Sequence, residues 1–171
     1  MCEKLPYIAT RETSIQSLQY QILNRYYPCK EKLAVWYNHH DVFCYLCEES
    51  VDSLEHYFYQ CVQVKCLWGN FTQLFYNIYS VSIEIGCLDI LFGIMNPNRD
   101  VIISVLNFCI LQGKLYIKKT KLSSGVPSFR DFCLMLKKRL EVEKLLCQLE
   151  NKIEFFTTKY EALYIGLCNV A

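Results

Sequence analysis

Three cysteines and one histidine follow the spacing C-x2-C-x8-H-x4-C, with Cys44, Cys47, His56 and Cys61 at the four positions. Two thiolates separated by two residues lie across one tight turn, and a His and a further Cys can complete a tetrahedral set around one ion. Because protein would fill all four positions, no coordination position stays open for a substrate. The motif therefore predicts one structural Zn²⁺ ion in a CCHC zinc-knuckle-like segment over residues 43–62.

The spacing between His56 and Cys61 limits the backbone between them. On an α-helix, residues five positions apart point about 140° away from each other. An unbroken helix could therefore not aim both side chains at one ion. We expect a helix that begins with Asp52 as its N-cap and Glu55 at the third helical position, and that is distorted or ends near Cys61.

Other interpretations of these residues stay open. A redox-active dithiol and inert core thiols are the alternatives to a metal site. His39, His40 and Cys66 are rival ligands, although the two histidines lie outside the turn and Cys66 would lengthen the return loop. The histidines beside Cys44 could also suggest a Cys/His nucleophile pair. A polar turn that leads into a metal site is the favoured explanation.

The composition is that of a folded chain in a reducing compartment. Of 171 residues, 53% are hydrophobic, which predicts one domain or a fragment of a longer protein and excludes disorder as the dominant state. The 11 cysteines are too few for a disulfide scaffold, and no apolar secretory core follows Met1. We therefore expect an intracellular location, cytoplasmic or nuclear. The cysteines expected to be buried structural thiols are Cys2, Cys29, Cys87, Cys109, Cys133, Cys147 and Cys168.

Membrane proteins and enzymes are both disfavoured by the sequence. The longest apolar run, residues 101–111, is roughly half of what a bilayer span needs, so we expect a buried helix there and no membrane partner. No nucleophile elbow, metalloprotease motif or phosphate-binding loop occurs, and the six glycines do not cluster. The chain is therefore expected not to be an enzyme.

Apolar residues recur with helical spacing through most of the chain, and no alternating strand pattern extends beyond a few residues. The predicted fold class is mainly α, a helical domain with the inserted knuckle and a long C-terminal amphipathic helix. One helix is expected over about residues 62–79, and Asp100 and Ser128 are expected to cap two later ones. The predicted regions are an N-terminal tail (1–13), a helical zinc-binding domain (14–122) and a C-terminal long-helix region (123–171).

The C-terminal region carries a heptad-like pattern in which apolar residues are spaced alternately four and three apart. They are Val142, Leu146, Leu149, Ile153, Phe156, Tyr160 and Leu163. The favoured interpretation is one amphipathic helix that packs on its own domain. The alternative is helix–helix association between chains through residues 142–163, since about three repeats is the lower limit for a coiled coil.

Charge is unevenly distributed along the chain. Residues 41–55 contain five acids and no Lys or Arg, whereas residues 114–139 contain eight bases against Asp131 alone. A formal net charge of +1 gives no strong electrostatic case for binding nucleic acid, so any phosphate-binding surface is expected in the second stretch. The candidate nucleic-acid-binding residues are Lys114, Lys118, Lys119, Lys121, Lys137, Lys138 and Arg139.

Motifs spread over roughly residues 15–160 accompany the four ligands. They are Leu18-Gln19-Tyr20, residues 52–56 leading to the histidine, Phe58, Trp68, Leu91-Phe92-Gly93, Lys114-x-Tyr116-Ile117, Pro127-Ser128-Phe129, Glu143-Lys144, Asn151-Lys152 and Lys159 with Tyr160. Together they resemble the C-terminal zinc-binding region of reverse transcriptases from LINE-type (non-LTR) retrotransposons. The resemblance implies zinc on the four motif residues and binding of RNA or an RNA–DNA template–primer during target-primed reverse transcription.

The sequence also departs from that family. It contains no Tyr/Phe-x-Asp-Asp motif, and Gln21 and Tyr160 stand where the family pattern often has Lys and Trp. The resemblance is therefore to a detached tail without polymerase or endonuclease activity. Two functions compete: a nucleic-acid-binding accessory module, which the resemblance favours, and a non-catalytic helical remnant or protein-interaction domain, which the low net charge favours.

Overall fold

A computed structural model describes residues 10–38 and 40–169. Within these ranges the helices are α1 (Thr13–Leu23), α2 (Lys30–Tyr37), a π-helical turn (His56–Gln60), α3 (Val62–Tyr79), α4 (Cys87–Phe92), α5 (Val101–Leu122), α6 (Phe129–Leu149) and α7 (Ile153–Cys168). Extended pairing in the same ranges is limited to one isolated antiparallel bridge between Phe43 and Val51. The predicted mainly α fold class is confirmed.

Helix α5 lies at the centre of the molecule, with α1, α6 and α7 packed against it. Every residue from 105 to 117 is buried, and Asp100 caps the helix as predicted by accepting a hydrogen bond from the Ile103 N–H at 3.1 Å. By length and composition α5 could cross a membrane, with a mean hydropathy of 1.4, yet 72% of that window is buried. Other helices of the chain therefore cover most of the apolar surface of α5.

Three buried polar residues, Asn107, Lys114 and Lys121, recur every seven positions along α5. Because seven residues are close to two helical turns, all three lie on one side of the helix. Each is bound to a different part of the chain. Their partners are Ile94 for Asn107, Gln19 and Leu91 for Lys114, and Asp52 for Lys121.

The predicted long C-terminal helix is wrong, because residues 142–163 form parts of two helices. Asn151 adopts a left-handed conformation (φ 55°) and ends α6. Its N–H donates to the Gln148 carbonyl at 3.1 Å, and the Lys152 N–H donates to the Cys147 carbonyl at 2.7 Å. This is the Schellman arrangement that terminates helices. Helix α7 starts at Ile153 and packs back against α6.

The break changes which apolar residues face the core. Val142, Leu149 and Ile153, three members of the predicted pattern, are exposed. The buried residues of the two helices are Phe132, Cys133, Leu136, Leu140, Glu143 and Cys147 on α6, and Phe156, Tyr160, Leu163 and Leu167 on α7. Association between chains through residues 142–163 stays a prediction. These residues do not form one continuous helix face that could pair with a second chain.

The predicted boundary after residue 122 coincides with the loop between α5 and α6. Ser128 caps α6 as predicted, its Oγ accepting a hydrogen bond from the Asp131 N–H at 3.4 Å. Buried apolar residues on both sides of this loop belong to one contiguous core. Residues 1–9 of the predicted tail lie outside the described residues. The division into three regions stays a prediction.

Candidate metal centre

The Cys44–Cys47 pair lies in a turn held by backbone hydrogen bonds. The Cys44 N–H donates to the Ser50 carbonyl at 2.9 Å, and the Glu48 N–H donates to the Cys44 carbonyl at 2.7 Å. Glu48 takes a left-handed conformation (φ 57°) that lets the chain reverse there. The bridge between Phe43 and Val51 closes the loop from outside. The two thiols are therefore presented on one side of the turn.

The π-helical turn lets the side chains of His56 and Cys61, five positions apart, lie on the same side of the backbone. The Cys61 N–H donates to the His56 carbonyl at 3.2 Å, an i→i+5 bond that brings residue 61 back to the side of residue 56. Cys61 itself leaves helical geometry (ψ 132°), and α3 starts after it. The expected distortion near Cys61 is confirmed. The expected cap is wrong, because Ser53 Oγ, not Asp52, accepts the His56 N–H at 3.1 Å.

The four predicted ligands converge. The Sγ atoms of Cys44 and Cys61 are 3.9 Å apart, and Cys47 Sγ lies 3.3 Å from His56 Nε2. All four ligand atoms lie within 4.8 Å of one another. In a tetrahedral site with metal–sulfur bonds of about 2.3 Å, two sulfurs are separated by about 3.8 Å. The cluster can therefore hold a metal ion with little movement of its side chains.

The local environment affects the protonation of the cluster. Burial raises the pKa of the Cys44 thiol to about 11. Burial acts in the same direction on Cys47, but hydrogen bonds from the backbone N–H groups of Glu49 and Ser50 and from the Cys44 and Cys61 side chains together lower the pKa of that thiol. Burial lowers the pKa of His56 and so favours the neutral imidazole that binds metals. A bound cation must therefore displace the Cys44 proton.

The rival ligands do not join the cluster. Cys66 lies on α3 with an exposed side chain, and its Sγ accepts a hydrogen bond from Asn70 Nδ2 at 3.7 Å. His40 is exposed. His39 lies outside the described residues. The group of four that the motif predicted is the group that the fold brings together.

Two of the seven predicted phosphate-binding bases are buried, which corrects their assignment. Lys114 is 1% exposed and Lys121 is 6% exposed, because both ammonium groups are bound inside the protein. Arg139 pairs with Glu143 on its own helix and with Glu12 at 3.7 Å. The remaining candidates are Lys119 and Lys138, which are exposed, and Lys118 and Lys137, which are half-buried.

Most of the other cysteines are packing residues, as expected. Those that are buried are Cys29, Cys109, Cys133 and Cys147. Cys87 is half-buried and Cys168 is exposed, so the expectation of a buried thiol is wrong for Cys168. Cys2 lies outside the described residues.

Sequence reasoning missed the internal role of Lys121 and Lys114. Their partners are distant in the sequence, 69 residues away for Asp52 and 95 for Gln19. The signal that could have found them is the seven-residue recurrence of polar side chains along a long apolar helix, since a base on a buried helix face needs a partner there.

The chain matches no model of a known protein family, and no curated protein is significantly similar to it. The resemblance to LINE-type reverse transcriptases therefore rests on the motifs quoted above.

Proposed function

We propose that the protein is a non-catalytic helical module built around one structural zinc ion on Cys44, Cys47, His56 and Cys61. The convergence of these four side chains carries the proposal. Three sulfurs and one imidazole nitrogen are the donor set that structural zinc sites use, and four protein ligands leave no open position for a substrate. The sulfur–sulfur distance of 3.9 Å also suits zinc–thiolate bonds.

Metal analysis by native mass spectrometry tests the site. We expect one zinc ion per chain in the wild type and none in a Cys44→Ser, His56→Ala double variant. Cys66→Ser is the matched control, because Cys66 is close in sequence yet outside the cluster, and it should keep the ion. A wild type without metal, or a double variant that retains it, would contradict the proposal.

We further propose that the module binds RNA or an RNA–DNA template–primer. Support comes from the resemblance and from four lysines on α5 and α6, of which Lys119 and Lys138 are exposed and Lys118 and Lys137 are half-buried. Exposed aromatic side chains are available for stacking on bases, among them Tyr26, Trp36 and Tyr37. The opposing observation is that three of the seven candidate bases are engaged within the protein, which favours a protein-interaction domain as the second candidate function.

Fluorescence anisotropy with a structured RNA and an RNA–DNA hybrid separates the two. Phosphate binding predicts an affinity that falls with salt, and the Lys118→Glu, Lys119→Glu variant should lower the logarithmic salt slope by roughly one per lost contact. Lys65→Glu, on the exposed side of α3, is the control for a general charge effect. An affinity without salt dependence, or an equal loss in the control, would refute the nucleic-acid assignment in favour of the second candidate.

A further inference from the structure

Lys121, in the last turn of α5, points its ammonium group at the candidate metal centre. Its side chain is 2% exposed. The Nζ atom lies 3.2 Å from Asp52 Oδ1, 4.0 Å from Cys44 Sγ and 3.8 Å from the centroid of the Tyr57 ring. One amino group thus contacts a carboxylate, a ligand sulfur and an aromatic face in a place that excludes water.

Asp52 is itself fixed from its other side by the start of α2. Its Oδ2 accepts a hydrogen bond from the Lys30 N–H at 3.4 Å, and its backbone carbonyl accepts one from the Glu31 N–H at 3.3 Å. These N–H groups belong to the first turn of a helix whose own N-cap residue supplies no side-chain bond. The carboxylate therefore holds Lys121 in place, and α5, α2 and the knuckle meet at this pair.

The net charge of the metal-bound site favours a cation beside the Cys44 sulfur. A divalent ion with three thiolates and a neutral imidazole carries one net negative charge. Cys44 and Cys61 are 1% and 0% exposed, so water cannot solvate the charge on these two sulfurs, whereas Cys47 is half-buried. A buried charge requires a partner or a hydrogen bond in the protein. Lys121 supplies both to the Cys44 sulfur.

We propose that Lys121 is a positioning residue of the metal centre. Its ammonium group donates to the Cys44 thiolate, offsets the net charge of the loaded site and thereby raises metal affinity. The inference rests on the proposed metal centre and adds a residue that the ligand motif does not contain. Lys121 acts through Cys44 and does not itself bind the ion.

The test uses the full chain in three variants. Lys121→Met removes the cation but leaves the buried Asp52 carboxylate unpaired, so its effect mixes folding with metal binding. Lys121→Met, Asp52→Asn removes the ion pair as a unit and isolates the effect on the sulfur. Lys114→Met is the matched control, because Lys114 is a second buried lysine on the same side of α5 and contacts none of the four ligands.

Metal affinity and the spectrum of the cobalt-substituted protein are the readouts. Outer-sphere partners of metal ligands commonly contribute 10- to 100-fold in affinity, so we expect a loss of about that size in a chelator competition for both Lys121 variants. Loss of the hydrogen bond makes the thiolate a better electron donor and should move the sulfur-to-cobalt charge-transfer band to lower energy. The Lys114→Met control should keep the wild-type affinity and band position.

The outcomes separate this role from the metal centre itself. Wild-type affinity and an unchanged charge-transfer band in the folded double variant overturn the role of Lys121 and leave the metal centre standing. Absence of metal from the wild type refutes the centre and with it this role. A loss of affinity of the same size in Lys114→Met would assign the effect to the stability of α5 and would also overturn the proposal.

Discussion

Lys114 in α5 donates a hydrogen bond to the side-chain carbonyl of Gln19 in α1, and both residues are buried. The Lys114 ammonium also contacts the Leu91 carbonyl at 3.3 Å, to which Gln19 Nε2 donates at 2.7 Å. Leu91 lies in the last turn of α4, where carbonyl groups lack helical partners. The pair therefore fastens three helices through polar groups in an otherwise apolar interior.

The buried amine makes stability depend on pH. Burial lowers the pKa of Lys114 to about 7 from its ordinary value of 10.5. Between these values the unfolded chain binds a proton that the folded chain does not, so the contribution of Lys114 to the free energy of unfolding rises with pH. The slope is about 1.4 kcal/mol per pH unit at most. Lys114→Met should lack it.

Urea unfolding of wild type and Lys114→Met at pH 7, 8 and 9 measures this slope. Cysteine titration is common to both proteins and cancels in the difference between their free energies of unfolding. That difference should shift in favour of the wild type as pH rises. A difference independent of pH would show that the Lys114 amine keeps its ordinary protonation when folded.

Substitution by alanine is expected to change stability in opposite directions at two glycines that lie within helices. A Cβ on Gly113 would overlap the indole ring of Trp68, which is 3% exposed and cannot move aside easily. Gly113→Ala should therefore destabilise the protein by about 1–3 kcal/mol through overpacking. Gly69, in α3, has no atom within 4 Å of the same position, so Gly69→Ala should stabilise by up to about 1 kcal/mol. Thermal unfolding of the two variants checks this, and a stabilising Gly113→Ala would contradict the packing of α3 on α5.

The ligand set was predictable from sequence because few residue types bind soft metals and their spacing restricts the turn that carries them. The distortion at Cys61 followed from helix geometry alone. The π-helical form of this distortion could not be predicted from helix geometry. An i→i+5 hydrogen bond depends on where the tertiary fold places the residues that follow it. The cap was misassigned to Asp52 because Ser53 and Asp52 are both good caps, and only tertiary contacts show that Asp52 is engaged by Lys121.

The C-terminal break escaped the sequence pattern for a different reason. Leu149 and Ile153 flank the turn at a distance that preserves helical spacing, yet both are exposed. Periodicity reports spacing between apolar residues and does not report which of them face the core. Asn151 carried the contrary signal, since Asn is one of the residues that tolerate the left-handed conformation.

If the proposed zinc ion holds the knuckle, its removal should unfold residues 43–61 before the rest of the protein. Residues 43–53 contain no helix, and besides the ligands they are held by the Phe43–Val51 bridge and by hydrogen bonds of Tyr45 and Asp52, whereas α6 and α7 pack on each other. A structural zinc contributes on the order of 10 kcal/mol to small domains. Chelation should therefore raise amide hydrogen exchange over residues 43–61 and leave α6 and α7 protected. The Cys44→Ser, His56→Ala variant should exchange rapidly there with or without chelator. Unchanged amide hydrogen exchange in the wild type without metal would show that the ion does not stabilise residues 43–61.

Glycine and alanine at Asn151 test whether α6 and α7 are separate helices. The left-handed conformation of Asn151 suits glycine, so Asn151→Gly should be neutral or slightly stabilising, whereas Asn151→Ala should cost about 1 kcal/mol. Asn77, exposed within α3, is the matched control. There alanine should be more stable than glycine by about 1 kcal/mol, because a helix favours alanine. Urea midpoints of the four variants give the comparison. If alanine were also the better residue at position 151, that position would be helical and the hairpin of α6 and α7 would be wrong.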